Sequence, residues 1–332
     1  MTEKLHKVLV TGATGFIGRA LCQSLLDSDV WVIAAVRCYR PDSVFTNRTF
    51  TQVEVGEISG TTDWMEALDG VEVVFHLAAH VHVMQKISDG VMAEFWRINV
   101  AGAEHLARCA AARGVKRLVF VSSIGVNGTQ TSANYQFSEL DVPAPHDGYA
   151  ISKWEAEKAL YRVMQETGLE IVIIRPPLVY GGGAPGNFGL MIKALGLPLP
   201  LASINNLRDF IYVGNLVSAM LVCAKHSDAA GKTYLVRDGE AISTPNLLRQ
   251  LGREMGCTPW LIRFPIKLLK ILGKLTGYSG QIERLSSSLR LNDDKIRHDL
   301  EWVPPYTLEQ GLRATAEWYR VELHPKLTQF RQ

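Results

Sequence analysis

Lys7-Val8-Leu9-Val10-Thr11-Gly12-Ala13-Thr14-Gly15-Phe16-Ile17-Gly18 is the stretch that decides how this chain folds. Lys7–Val10 reads as a short β-run, glycines follow at 12, 15 and 18, and Phe16–Leu26 has a helical pattern. A strand that turns through glycines into a helix gathers backbone N–H groups at the positive end of the helix. That arrangement suits a pyrophosphate. A glycine triplet alone also fits an ordinary strand–helix turn, so its weight comes from standing first in a longer alternating pattern.

That pattern runs outward from it. Further β-runs are Val30–Val36, Thr51–Val55, Val71–His76, Arg117–Ser122 and Glu170–Arg175, with helical patterns at Ala93–Arg113 and Tyr149–Glu166. Most β-runs are almost continuously apolar, as parallel strands covered on both faces must be. Alternation of this kind predicts an α/β fold, a Rossmann-type doubly wound parallel sheet. Residues 1–176 are expected to form a dinucleotide-binding core. Residues 177–332 are expected to form a smaller, mainly helical substrate-binding part, with the chain re-entering the core around 208–240. Gly181-Gly182-Gly183 and Pro185-Gly186 break the chain, and Leu197–Leu201, with its two prolines, must be extended or turning. Thr244-Pro245 reads as an N-cap followed by proline at the first helical position, and Thr307 with Gln310 as a capping box.

Composition narrows the function. With 47% apolar and 20% charged residues in 332, the chain can bury a core and is not expected to be disordered. A net charge of +2 gives no general pull toward nucleic acid. Five scattered cysteines lack metal or redox spacing, which points to reduced thiols and a cytoplasmic protein. The N-terminal apolar run is too short for a signal core, and no run approaches the roughly 18 residues of a membrane span. His76, His80 and His82 lack a carboxylate or cysteine at helical spacing, so no metal is expected, and His82 is expected to line the substrate pocket. Arg263, Lys267, Lys270 and Lys274 recur at helical spacing in an apolar segment. Such a helix covers its own core more often than a membrane surface.

Chemistry is concentrated in two further places. Tyr149 and Lys153 stand four apart on a predicted helix, so a phenol and an ammonium share a face. A nearby cation is expected to lower the tyrosine from its ordinary value of about 10 toward a usable base. Val119-Phe120-Val121-Ser122-Ser123 ends a strand in two serines, and in a parallel sheet such ends meet at the ligand crevice. A serine there can polarise a substrate oxygen, although serines also terminate strands by local hydrogen bonds.

Glycine motif, Ser, Tyr and Lys in this order resemble the extended short-chain dehydrogenases/reductases, the NAD-dependent epimerase/dehydratase family, and the likeness spans about Lys7 to Leu312. The resemblance makes Ser123 (rather than Ser122), Tyr149 and Lys153 the catalytic triad. It assigns the cofactor to Gly12, Thr14, Gly15, Phe16, Ile17 and Gly18, with Glu57-Ile58 at the adenine, where Glu replaces the usual Asp. Leu77-Ala78-Ala79, Asn99, Pro176, Tyr149 and Lys153 complete that cofactor set. The second strand ends in Arg37-Cys38-Tyr39-Arg40 without the acid that would hold a 2′-hydroxyl, so Arg37 and Arg40 favour NADP(H), with NAD(H) as the alternative.

The segment Arg208-Asp209-Phe210-Ile211-Tyr212-Val213 resembles the diphosphate-holding element of UDP-sugar 4-epimerases, and Asn187 and Leu201 resemble their base-side contacts. A buried Arg–Asp pair is the structural alternative for Arg208-Asp209. Leu178, in Arg175-Pro176-Pro177-Leu178, stands where epimerases commonly carry asparagine. There the chain is more similar to bacterial surface-polysaccharide 4-ketoreductases that form UDP-N-acetylquinovosamine, as it also is at Leu77–Met84, Ile151–Glu157 and Ser243–Pro245. The resemblance thus implies reduction of a UDP-4-keto-6-deoxy-N-acetylhexosamine, with UDP-sugar 4-epimerase as the alternative and a non-catalytic NADP(H)-sensing regulator as the competing class. It also implies a homodimer paired through Ala93–Arg113 and Tyr149–Glu166.

Overall fold

The structure, a computed structural model, describes residues 4–41, 45, 47–81, 89–132, 134–195, 201–204, 206–263 and 286–323. Its strands β1 (Lys7–Thr11), β2 (Trp31–Val36), β3 (Phe50–Glu54), β4 (Val73–His76), β5 (Arg117–Val121) and β6 (Glu170–Arg175) fall within two residues of the expected runs. Together with a later strand, β10 (Thr233–Leu235), they form one sheet in the order β10-β6-β5-β4-β1-β2-β3. Every neighbouring pair in it is parallel. Chain order reverses between β1 and β4, and a ligand crevice opens at the carboxyl ends of such strands.

Strand alternation sorts the apolar residues into two cores. Val8, Val10, Val119, Val121, Val172 and Ile174 face one way and pack with Leu21 and Leu25 of α1 (Phe16–Leu26) and Leu216 and Met220 of α6 (Val213–Lys225). Leu9, Val74, Leu118, Phe120, Ile171 and Ile173 face the other way, against Leu106 of α3 (Gly102–Ala112) and Leu160 of α4 (Gly148–Thr167). Both faces being covered explains why the strands read as unbroken apolar runs.

The expected helix Ala93–Arg113 is interrupted. It consists of α2 (Asp89–Phe95), a π-helical turn at Trp96–Ala101 and then α3. Such turns recur at functional sites, and this one carries Asn99.

Beyond residue 176 the chain builds a third core. Tyr180, Phe188, Ile192, Phe210, Leu247, Leu251, Leu312 and Tyr319 pack together. They come from β7 (Leu178–Tyr180), α5 (Asn187–Leu195), β9 (Phe210–Tyr212), α7 (Thr244–Met255) and α8 (Leu308–Leu323). Short strands are thus threaded through the helical part, β8 (Leu201–Ser203) and β11 (Leu261–Arg263) among them. The capping box holds: Thr307 N–H donates to Gln310 Oε1 (2.8 Å) and Gln310 N–H to Thr307 Oγ1 (3.2 Å). The cap of α7 does not fall on Thr244. Ser243 Oγ accepts from Asn246 N–H, so Thr244 is already helical and Pro245 follows it in the first turn. Arg263 ends a strand rather than opening a basic helix, and 264–285 lie outside the described residues. No helix among the described residues is long and apolar enough to cross a membrane.

Candidate active site

The glycine loop is held down by its neighbours. Thr11, fully buried at the end of β1, shares a 2.7 Å hydrogen bond between its Oγ1 and Nδ1 of His76. The same oxygen accepts from the N–H groups of Leu77 and Ala78, both at 3.2 Å. This ties the first strand to the turn after β4. Gly12 takes φ +70°, and a Cβ there would lie 2.8 Å from the backbone N of Ala78. A Cβ at Gly18 would lie 2.1 Å from the Gly12 carbonyl oxygen. Only glycine fits at either point.

Gly15 caps α1 without any side-chain hydrogen bond, so the first-turn N–H groups remain for an anion. Thr14 and Gly15 are exposed, with Phe16 and Ile17 half-buried. This cradle fits a dinucleotide pyrophosphate by its own geometry. Bound there, a nicotinamide dinucleotide supplies a hydride acceptor or donor.

Arg37 and Arg40 stand exposed beyond the end of β2, while the backbone N–H of Arg40 is held by Gln52. Glu57 is exposed and pairs with Arg97 of the π-turn at 2.7 Å, which Glu94 also holds. Ile58 is buried against Gly102. Asn99 is buried and clamps the segment after β4. Its Oδ1 accepts from His80 N–H (2.7 Å), and its Nδ2 donates to His80 O (3.1 Å) and to Ser152 Oγ (2.9 Å) on α4. Pro176 is buried, its carbonyl accepting from Ile124 N–H.

The two serines part company. Ser122 is buried and donates to Glu157, which also receives a bidentate pair of bonds from Arg175 at 3.0 and 2.6 Å. Ser123 caps the following 3-10 turn, accepting from Gly125 N–H (3.0 Å), and lines an open cleft. Tyr149 lines the same cleft. Lys153 lies beneath it, 1% exposed, donating from Nζ to Val121 O at 2.8 Å. That ammonium sits 4.4 Å above the Phe120 ring and 5.8 Å from the centre of the Tyr149 ring.

Burial pushes Lys153 down to about 7, partly opposed by Glu157. Against the sequence expectation, Tyr149 is raised above its ordinary value, first by burial and then by the carboxylate of Asp147. Burial strips water from the phenolate, and the Asp147 carboxylate two residues away disfavours it further.

The cleft, of about 310 Å³, joins the two parts of the chain. Ser123, Thr129, Asp147 and Tyr149 come from the first part, and Leu178, Met191, Arg208, Phe210, Thr244 and Leu289 from the second. Arg208 donates to Ser287 O at 2.9 Å, and its backbone pairs with that of Ile242. Asp209 is buried and pairs with Arg237 at 3.3 Å. Asn187 opens α5, one turn before the cleft-lining Met191, and Leu201 begins β8. His82 lies outside the described residues.

Sequence reasoning passed over Asp147, Thr129 and Leu289 and read Thr244 as a helix cap, not as part of the cleft. Asp147 did carry a signal, as an N-cap residue directly before the helix of Tyr149, where its Oδ1 accepts from Ala150 N–H. Among the described residues no group of three or more His, Cys, Asp or Glu side chains could hold a metal.

A parallel sheet with a glycine cradle, and a Ser–Tyr–Lys group beside its crevice, define an NAD-dependent enzyme of the short-chain dehydrogenase/reductase type. The chain belongs to the NAD dependent epimerase/dehydratase family, which residues 8–236 match. It is 38% identical to a UDP-glucose 4-epimerase of Vibrio cholerae, over 93% of this chain and 94% of that one. It is 24% identical to an N-acetyl-alpha-D-glucosaminyl-diphospho-ditrans,octacis-undecaprenol 4-epimerase of Escherichia coli O157:H7, over 94% of each chain. Among solved structures, MoeE5 in complex with UDP-glucose and NAD superposes with a TM-score of 0.76 at 26% identity, covering 96% of this chain and 99% of that one.

Proposed function

We propose that the protein moves a hydride at C4 of a UDP-sugar and works as a 4-epimerase. The observation that carries this reading is a single cleft lined by Ser123 and Tyr149 from the first part of the chain and by Arg208 from the second. Arg208 suits the diphosphate, as a guanidinium does. Ser123 polarises the C4 oxygen, and Tyr149 takes its proton as the hydride leaves C4. The 4-keto sugar then turns within the cleft and receives the hydride on its other face, while Tyr149 returns the proton. Lys153 sets the charge beneath the phenol. The likeness to the Vibrio cholerae 4-epimerase supports epimerisation over the reduction expected from sequence motifs.

Reduction of a UDP-4-keto-6-deoxy-N-acetylhexosamine in surface-polysaccharide synthesis is the second reading. It is favoured by Leu178 in the cleft wall and by a Tyr149 phenol that burial and Asp147 raise. For the cofactor, the exposed Arg37 and Arg40 support NADP(H), while the solved relative MoeE5 carries NAD.

Purified protein incubated with UDP-glucose or UDP-GlcNAc and catalytic cofactor decides between the readings. Interconversion with the galacto-epimer, without net consumption of reductant, supports epimerisation. Turnover of the 4-keto sugar alone, with stoichiometric loss of NADPH or NADH, overturns it in favour of reduction.

A further inference from the structure

Asp147 and Arg208 are the charged side chains that line the cleft among the described residues, and they come from different parts of the chain. Arg208 is set by β-bridges to Ile242 and Leu289. Asp147 is the N-cap of α4, two residues before Tyr149. We infer that Asp147 is a specificity-determining residue that restricts the cleft to nucleotide sugars with an uncharged pyranose and turns away those with a carboxylate on the ring. This inference rests on the UDP-sugar reading above.

The argument is one of charge placement. A sugar nucleotide is itself polarised, with the diphosphate at one end and the sugar at the other. Arg208 draws the diphosphate, so the sugar is left at the Tyr149 end, which the reaction requires in any case. At that end the cleft lining carries the Asp147 carboxylate, while the Lys153 ammonium lies buried beneath, bonded to Val121 O. A neutral hexose or N-acetylhexosamine meets Asp147 with hydroxyl or amide N–H groups that can donate to a carboxylate oxygen. A uronic acid brings a second carboxylate into the same partly enclosed space, where like charges repel far more than in bulk water. One carboxylate oxygen is committed to Ala150 N–H at 2.8 Å, which fixes the group at the rim of the helix instead of letting it swing away. The same charge also acts on Tyr149, raising its phenol along with burial, which places the two groups within electrostatic reach of each other.

The full-length protein with saturating cofactor tests this through dissociation constants for UDP, UDP-GlcNAc and UDP-glucuronic acid. Wild type should bind UDP-GlcNAc at least about tenfold more tightly than UDP-glucuronic acid. Asp147→Asn keeps the cap, because asparagine serves an N-cap as well as aspartate, and Asp147→Ser is a second capping variant. Both should tighten UDP-glucuronic acid by about fivefold or more while leaving UDP unchanged, which a purely structural role would not do. Equal wild-type affinity for the two sugars, or an unchanged ratio in both variants, overturns the inference with the UDP-sugar reading intact. Failure of wild type to bind even UDP overturns that reading and this inference with it.

Discussion

Ser122 and Ser123 are adjacent in the chain but serve opposite sides of the sheet end. Ser122 donates inward to the buried Glu157, and Ser123 opens to the cleft beside Tyr149. Replacement by alanine should separate them. Ser123→Ala should lower kcat by about 10²-fold with little change in stability, by analogy with loss of one oxyanion donor. Ser122→Ala should cost about 1–3 kcal/mol in urea unfolding, because Glu157 loses a buried donor. A Ser122 variant with the larger kcat defect would reverse the assignment.

Tyr149→Phe should lower kcat by about 10²–10⁴-fold while cofactor and UDP affinities hold, since only the proton carrier is removed. Steady-state rates with quenching of reduced-cofactor fluorescence measure both. Activity within about twofold of wild type would remove the phenol from the reaction and revive the sensing role.

His76 offers a stability test. Burial, and the nearby Lys153, hold it down to about 3 in the folded chain, against 6.5 when unfolded. Between those values the unfolded state binds the extra proton, so stability falls as pH drops from 6.5 toward 3. The loss is at most about 1.4 kcal/mol per pH unit from this group. In His76→Asn, urea midpoints measured from pH 7 to 4 should fall less steeply than in wild type. An identical slope would mean that His76 is protonated inside the fold.

Arg37 and Arg40 should decide the cofactor. Arg37→Ala with Arg40→Ala should raise KM for NADPH by about tenfold or more and leave NADH within about twofold, if the guanidinium groups clamp a 2′-phosphate. Equal effects on both cofactors would assign these arginines to the surface alone.

Arg208→Ala should weaken UDP by about 10–100-fold, the loss of a charge-assisted contact, and leave nicotinamide cofactor binding unchanged. Isothermal titration with UDP alone reads this directly. Unchanged affinity would move the diphosphate elsewhere in the cleft.

Much of this molecule was legible in one dimension. Strand alternation and the break near Pro176 are local patterns, and β1 through β6 and α1 follow them closely. Gly15 and Gly18 meet a local requirement too, because each crowds the Gly12 carbonyl within its own turn, whereas Gly12 crowds Ala78 beyond β4. Less legible was the region Ala93–Arg113. Its apolar spacing reads as one helix, yet a π-turn shifts Asn99 so that it reaches both His80 and Ser152. No periodicity announces such a turn, since its benefit lies in contacts made to distant segments.

By itself, then, the amino-acid order determined the strand and helix runs, the glycine spacing and the Tyr–Lys spacing, because those depend on residues near one another in the chain. Tertiary structure alone decided which serine lines the cleft, that burial and Asp147 raise Tyr149, and that Arg208, Thr244 and Leu289 line one cleft with Asp147 and Tyr149. The physical reason is that burial and charge act through space. Both depend on where segments a hundred residues apart come to rest.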